Sequence, residues 1–148
     1  MAIFAFKLKT IHRLKTQVED LAKNRFGLAV SAYNEELRKL NLIQETIFAT
    51  IDEFRTTSGG RFTAGRIKEY NYFLSAMRDR EEAQQRNVDE AARVVDEARE
   101  ALIIASRQRE MFNKLRERAL SRYMSEERRA EYRGTDELVS FRGNRFYK

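Results

Sequence analysis

Histidine, cysteine and clustered carboxylates are where side-chain chemistry usually begins, and this chain of 148 residues offers little of it. Its one histidine is His12, and cysteine is absent. No thiolate is available as nucleophile or metal ligand, and no disulfide can form. A zinc site would have to gather carboxylates around a single imidazole, a poor donor set. His12 stands in a strongly amphipathic stretch, where a solvated or partner-facing imidazole is the ordinary outcome and a general base the exception. Ser58-Gly59-Gly60 lacks the Lys-Ser/Thr that follows in a phosphate-cradling loop. Glu35-Glu36 and Glu81-Glu82 point in neighbouring directions around a helix and are normally solvated. We expect no catalytic residue, no metal ligand, no cofactor and no small-molecule substrate.

Basic residues offer a different chemistry. Arg116, Arg118, Arg122, Arg128, Arg129 and Arg133 form a run near the end, but Glu117, Glu126, Glu127 and Glu131 are interleaved with it. Phosphate binding favours an undiluted stripe. Interspersed charges are the mark of a solvated helix face, so nucleic acid is the weaker partner class and a protein-facing basic end the stronger. A nucleic-acid-associated coiled coil would betray itself by a steep log-linear loss of binding as salt rises. Net charge is +6 overall. Residues 1–25 carry six Lys/Arg against two acids, and residues 114–148 carry ten against six, so each end is +4. The middle, 26–113, carries 13 against 15.

The elements that must position these groups are helical. Proline is absent, glycine occurs six times, and 35% of the residues are charged. Helices tolerate such a composition over long stretches, and a mean hydropathy of −0.69 supports a seam and not a thick core. The expected fold is all-α, a long two-helix antiparallel coiled-coil hairpin forming a single domain over 1–148. Its first helix spans about 7–55, the turn 56–65, the second helix about 66–130 and a tail 133–148. Ile11, Leu14, Val18, Leu21 and Leu28 make one 3-and-4 frame, interrupted by Arg25. Val30, Tyr33, Leu37, Leu40, Ile47, Ile51 and Phe54 make a second, with Gln44 as its polar member. Both have the period of a coiled-coil seam. They do not join in phase, and the slip falls around Gly27.

Thr56 to Gly65 carries the turn signal, with Ser58 or Thr63 as helix-starting caps. Beyond it Ile67, Tyr70, Leu74 and Met77 open a stripe, and Val88, Ala91, Val95, Ala98, Leu102, Ala105 and Phe112 continue it. Glu81 and Gln84 interrupt, as a register device or as a weak spot. Leu115 and Ala119 follow after one shift. Glu35–Lys39, Asp89–Arg93 and Glu110–Lys114 have the favourable i,i+4 order. Arg133-Gly134-Thr135 reads as a helix stop. At 1.5 Å per residue, a rod of about 75–90 Å follows.

No stretch approaches the ~20 apolar residues that span a bilayer. Met1 to Phe6 is a short apolar run preceding Lys7 and Lys9, the reverse of a secretory signal. Both point to a cytoplasmic protein. Tyr72 and Phe73 fall at the edge of the seam or outside it. They are partner anchors, or they pack over the turn with Phe62. Phe4, Phe6 and Leu8 at one end and Phe141, Phe146 and Tyr147 at the other either staple the termini or enter a partner.

Phe4-x-Phe6-x-Leu8, followed by Ile11, Leu14 and Val18-Glu19, resembles the opening of the flagellar export protein FliJ family. Leu115 and the Arg/Glu-rich stretch leading to Asp136-Glu137-Leu138 and Arg142 are similar to that family's close. The resemblance implies a non-enzymatic component of the flagellar type III export apparatus, resembling the central stalk of rotary ATPases. It implies three partners: the hexameric flagellar export ATPase, the membrane protein of the export gate, and export chaperones. The place implied is the cytoplasm, with peripheral association at the inner face of the cell membrane. Phe4, Phe6, Leu8, Asp136, Glu137 and Arg142 would then serve the ATPase end. Tyr70, Tyr72, Phe73 and Met77 make a gate-facing or chaperone-facing patch, an expectation from the aromatics themselves. The stalk of a virulence secretion system would have the same architecture. His12, Gly27 and Gly134 depart from the family's pattern.

Overall fold

The computed structural model describes Ala5, residues 7–57, Gly59 and residues 61–146, with side chains through Gly143. Phe4, Phe6 and Tyr147 lie outside the described residues, as do Ser58 and Gly60, and the Phe146 side chain is not described. Two helices make up the chain: α1, Lys9–Thr57, and α2, Ala64–Phe146. They pack against each other in antiparallel fashion, so the fold is the expected all-α helical hairpin.

The start of α2 is written in its first residues. Thr63 accepts the Arg66 N–H on its hydroxyl at 3.3 Å and the Ile67 N–H on its carbonyl at 3.1 Å. That is N-capping, which answers donors that the first turn leaves without helical partners. Gly59 has φ +49, a left-handed conformation that costs glycine nothing. The expected tail is corrected: α2 runs through Arg133-Gly134-Thr135 and on to Phe146. One glycine costs a helix only about 1 kcal/mol, and with no proline nothing terminates it.

Contacts gather into two compact units. One, residues 21–103, contains the turn. The other joins the chain's beginning, residues 1–20, to residues 104–148.

In the turn unit the seam follows heptads closely. On α1, Phe26, Tyr33, Leu40, Ile47 and Phe54 stand seven apart and are buried or half-buried, as are Val30, Leu37, Gln44 and Ile51 beside them. On α2 the matching series are Tyr70, Met77, Gln84, Ala91 and Ala98, and Leu74, Glu81, Val88, Val95 and Leu102. The second α1 frame is thus seen as expected, and so is the α2 frame from Tyr70 onward, while Ile67, expected at its head, is 40% exposed. No described side chain is completely buried, which is what two helices without a third layer allow.

The first α1 frame is corrected. In the terminal unit Ile11, Leu14 and Val18 are exposed, while His12, Lys15, Thr16 and Glu19 turn towards α2. In the turn unit Leu21 and Leu28 are likewise exposed, and Ala22 and Ala29 take the inner positions. The heptad that holds Phe54 and Phe26 therefore counts back through Glu19 to His12, with no slip at Gly27. On α2 Ala119 keeps the frame and Leu115 leaves it, so the expected shift there does not occur.

Surface pairs also differ from expectation. Glu35 bonds Arg38 at 2.7 Å, Glu36 bonds Lys39 at 3.4 Å, and Arg93 bonds Glu90 at 2.5 Å as well as Glu97. Asp89 accepts from Gln85 at 3.0 Å. Each such exposed pair contributes at most a few tenths of a kcal/mol.

The two frames separate cleanly in a stability experiment. Leu40→Ala, in the seam, should destabilise by about 2 kcal/mol, the low end for a leucine in an open core. Leu28→Ala, on the outer face, should stay within about 0.5 kcal/mol of the parent. Urea unfolding followed by circular dichroism reads both.

Candidate functional site

A seam of two helices offers no deep pocket, so its functional parts are surfaces and the polar bonds that hold them in place. In the turn unit three rings form a stack. Phe54 lies on Tyr70 with centroids 3.8 Å apart and planes 12° from parallel, and on Phe62 at 4.4 Å and 11°. Beside the stack is an open cleft of about 210 Å³ lined by Thr50, Glu53, Phe54, Thr57, Arg66, Glu69 and Tyr70.

This stack divides the expected aromatic patch. Tyr70 is half-buried against Phe54, and Met77 is a buried seam residue. Tyr72 and Phe73 are exposed, Tyr72 at 79%. Phe62 spends its ring on Phe54, so Phe54 holds the place over the turn that Tyr72 and Phe73 were the candidates for. Phe48 and Leu42 on α1 are exposed in the same unit. Periodicity alone left them unremarked, although Phe48, beside the seam residue Ile47, is a large ring with no structural place.

The middle of the turn unit is held by amides and carboxylates inside the seam. Gln84, 8% exposed, donates from Nε2 to the Glu36 carbonyl at 2.9 Å and to its carboxylate at 2.6 Å. Its Oε1 accepts from Asn87 at 3.3 Å, and Gln44 donates to Glu81 at 3.4 Å. Glu81 and Gln84 therefore stay in the seam and pair across it. Polar core residues of this kind act on register, because sliding one helix leaves them without partners.

The terminal unit has a more polar seam still. Glu19 is 4% exposed and accepts from Arg109 Nε at 2.6 Å. Lys15 donates to Gln108 at 3.1 Å. The hydrogen bond to Glu19 raises the Arg109 guanidinium above its ordinary value. His12 Nε2 is shielded from solvent without a hydrogen-bond partner. Among the described residues no group of three or more His, Asp or Glu is placed to hold a metal ion.

Leu8 is half-buried, and its carbonyl accepts the His12 N–H at 2.9 Å as the helix begins. Asp136, Glu137 and Arg142 are exposed on α2. The structure does not bring them to Leu8. With Lys15 opposite Gln108, Leu8 falls opposite about residue 115, and Asp136 lies roughly 30 Å further along α2. From Leu120 to Gly143 every side chain but the half-buried Tyr123 is exposed. Leu138, Val139 and Phe141 are 64–66% exposed on this arm. Tyr123 donates to Glu127 at 2.9 Å, and that bond raises its phenol above the ordinary value. Among the described residues no helix is long and apolar enough to cross a membrane.

Arg109→Met should lower the thermal unfolding midpoint clearly, because it strips a buried carboxylate of its guanidinium. Arg93→Met, which breaks only exposed pairs, should leave the midpoint almost unchanged. Adding Glu19→Leu to Arg109→Met should recover most of the loss, since two apolar residues can replace a buried ion pair.

Searches of curated proteins and of solved structures find no match. The family model described as flagellar FliJ protein matches residues 4–146, both helices included. The chain therefore belongs to the flagellar FliJ protein family, components of flagellar protein export.

Proposed function

We propose that this flagellar export component is a non-enzymatic stalk with two docking surfaces at different places on the hairpin. The arm of α2 from Leu120 onward, with the chain's N-terminal residues, serves the hexameric export ATPase. Tyr72 and Phe73, beyond the turn, serve the export gate membrane protein or an export chaperone.

The observation that carries this reading is the arm. Within the terminal unit, α2 continues past the described start of α1 as a helix whose leucine, valine and phenylalanine side chains face solvent. A helix without tertiary cover is marginal in water, and its apolar residues gain by entering a partner. Five arginines and five acidic residues are interleaved along 120–143, so the arm's contribution to docking is its apolar side chains, with polar pairs around them. Tyr72 and Phe73 supply the large rings that interface anchors are commonly built from. Chemistry of its own is no part of this role, so the chain acts by modulating a partner's turnover. It works in the cytoplasm, at the inner face of the membrane where the export gate stands. The family match is to a flagellar protein, which favours the flagellar apparatus over a virulence secretion system.

Three pull-downs test the proposal. Wild type should retain the flagellar export ATPase, and truncation after Tyr132 should abolish that retention. Tyr72→Ala/Phe73→Ala should keep the ATPase and lose the gate component or chaperone. If wild type retains none of these partners, or if the truncation binds the ATPase as well as the full chain, the reading fails.

A further inference from the structure

On α1 the polar and apolar sides are related by a step of one residue. Facing α2 in the terminal unit are His12, Lys15 and Glu19. One position earlier in each case stand Ile11, Leu14 and Val18, which are 41%, 54% and 43% exposed. The same one-residue relation holds in the turn unit, where Ala22 and Ala29 are inside while Leu21 and Leu28 are outside. An amphipathic helix ordinarily buries its large aliphatic stripe. Here the segment at the start of α1 buries the stripe beside it.

The inner stripe is imperfectly satisfied. His12 Nε2 is shielded without a partner, a state that buried polar atoms generally avoid. Glu19 and Lys15 are held there by Arg109 and Gln108. Gly27 is the third observation. It lies inside a continuous helix, and a Cβ built on it would meet nothing within 4 Å. No close approach asks for glycine at this position. What glycine does provide is a backbone that yields readily to a π-bulge, the insertion of one residue into a helical turn. One inserted residue there would advance every preceding residue by one seam position. Leu21, Val18, Leu14 and Ile11 would then take the inner places in phase with Tyr33 and Leu40, and Arg25 would take the seat of Phe26.

We propose that α1 has two seam registers that exchange through a π-bulge at Gly27. In the register described, the polar stripe is inside and the aliphatic stripe is offered to solvent. In the other, Ile11, Leu14 and Val18 pack on α2, and His12, Lys15 and Glu19 emerge. Neither register wins outright. The second buries aliphatic surface but takes Phe26 out of the seam and Glu19 from Arg109, whose stem must then carry its charge out to water.

The chain contains no cysteine, so introduced thiols are the only ones. Three full-length double variants are treated with the short thiol cross-linker dibromobimane. Lys15→Cys/Gln108→Cys reads the register described, and Leu14→Cys/Gln108→Cys reads the other. Arg13→Cys/Gln108→Cys faces away in both and is the control. The Lys15 and Leu14 pairs should both cross-link well above the control. Adding Gly27→Ala, which favours the unbroken helix, should slow the Leu14 pair about fivefold and spare the Lys15 pair. Far-ultraviolet circular dichroism confirms that each variant is helical. The proposal is overturned if the Leu14 pair reacts no faster than the Arg13 pair. It is equally overturned if Gly27→Ala leaves the ratio of the Leu14 and Lys15 pairs unchanged.

Discussion

Two helices packed on each other have no interior beyond the residues that face across the seam, and every other property of this protein depends on that narrowness. A third layer would let a polar side chain find a neighbour elsewhere. Here it must be answered by the opposite helix, by a near neighbour on its own helix, or stay short of a partner. Glu36 is answered by Gln84, Gln44 by Glu81, Lys15 by Gln108 and Glu19 by Arg109. Each pair is a tooth in the register. Apolar layers such as Leu40 and Val88 supply adhesion, but aliphatic side chains tolerate sliding. The amides and carboxylates do not.

The same narrowness explains what could be read from the residue order. On α2 the frame from Tyr70 to Phe112 was legible, because its aliphatic and alanine positions recur with little competition from other faces. Glu81 and Gln84 were legible only as an interruption of that frame, a register device or a weak spot; the structure keeps them in the seam and supplies their partners. Thr63 was legible as a cap from its chemistry and place. The start of α1 was misread for a physical reason. Ile11, Leu14 and Val18 form the stronger periodic signal, but periodicity measures how apolar a face is, not which neighbour covers it. Gly134 misled differently. Its cost is real but small, and a helix with no proline and many Arg, Glu and Ala neighbours runs through it. At the aromatic patch, spacing correctly put Tyr70 in the seam and Tyr72 and Phe73 outside. The stack of Phe54 between Phe62 and Tyr70 joins residues from both sides of the turn, a contact that no local pattern contains.

Membership of the flagellar FliJ family gives these surfaces a setting, and the geometry explains how so plain a fold carries a task. The cleft beside the ring stack is open, and no cluster of metal ligands stands among the described residues. What the molecule has is differentiation along the chain. Stacked rings and exposed Tyr72 mark the turn unit. A polar seam, an outward aliphatic stripe and an uncovered arm mark the terminal unit.

That arm also sets a thermal character. Tertiary packing normally lends a helix most of its stability, and the stretch beyond Leu120 receives almost none. Its amides are protected only by helix–coil equilibrium, so they should open far more often than those beside Leu40 or Val95. Warming therefore melts this stretch before the seam yields. Any complex that requires it as a helix inherits that equilibrium, and weakens as the fraction of helical arms falls. For any partner that takes the arm as a helix, affinity is thus a function of temperature, written in the helix propensity of some twenty-five residues and not in the strength of the seam.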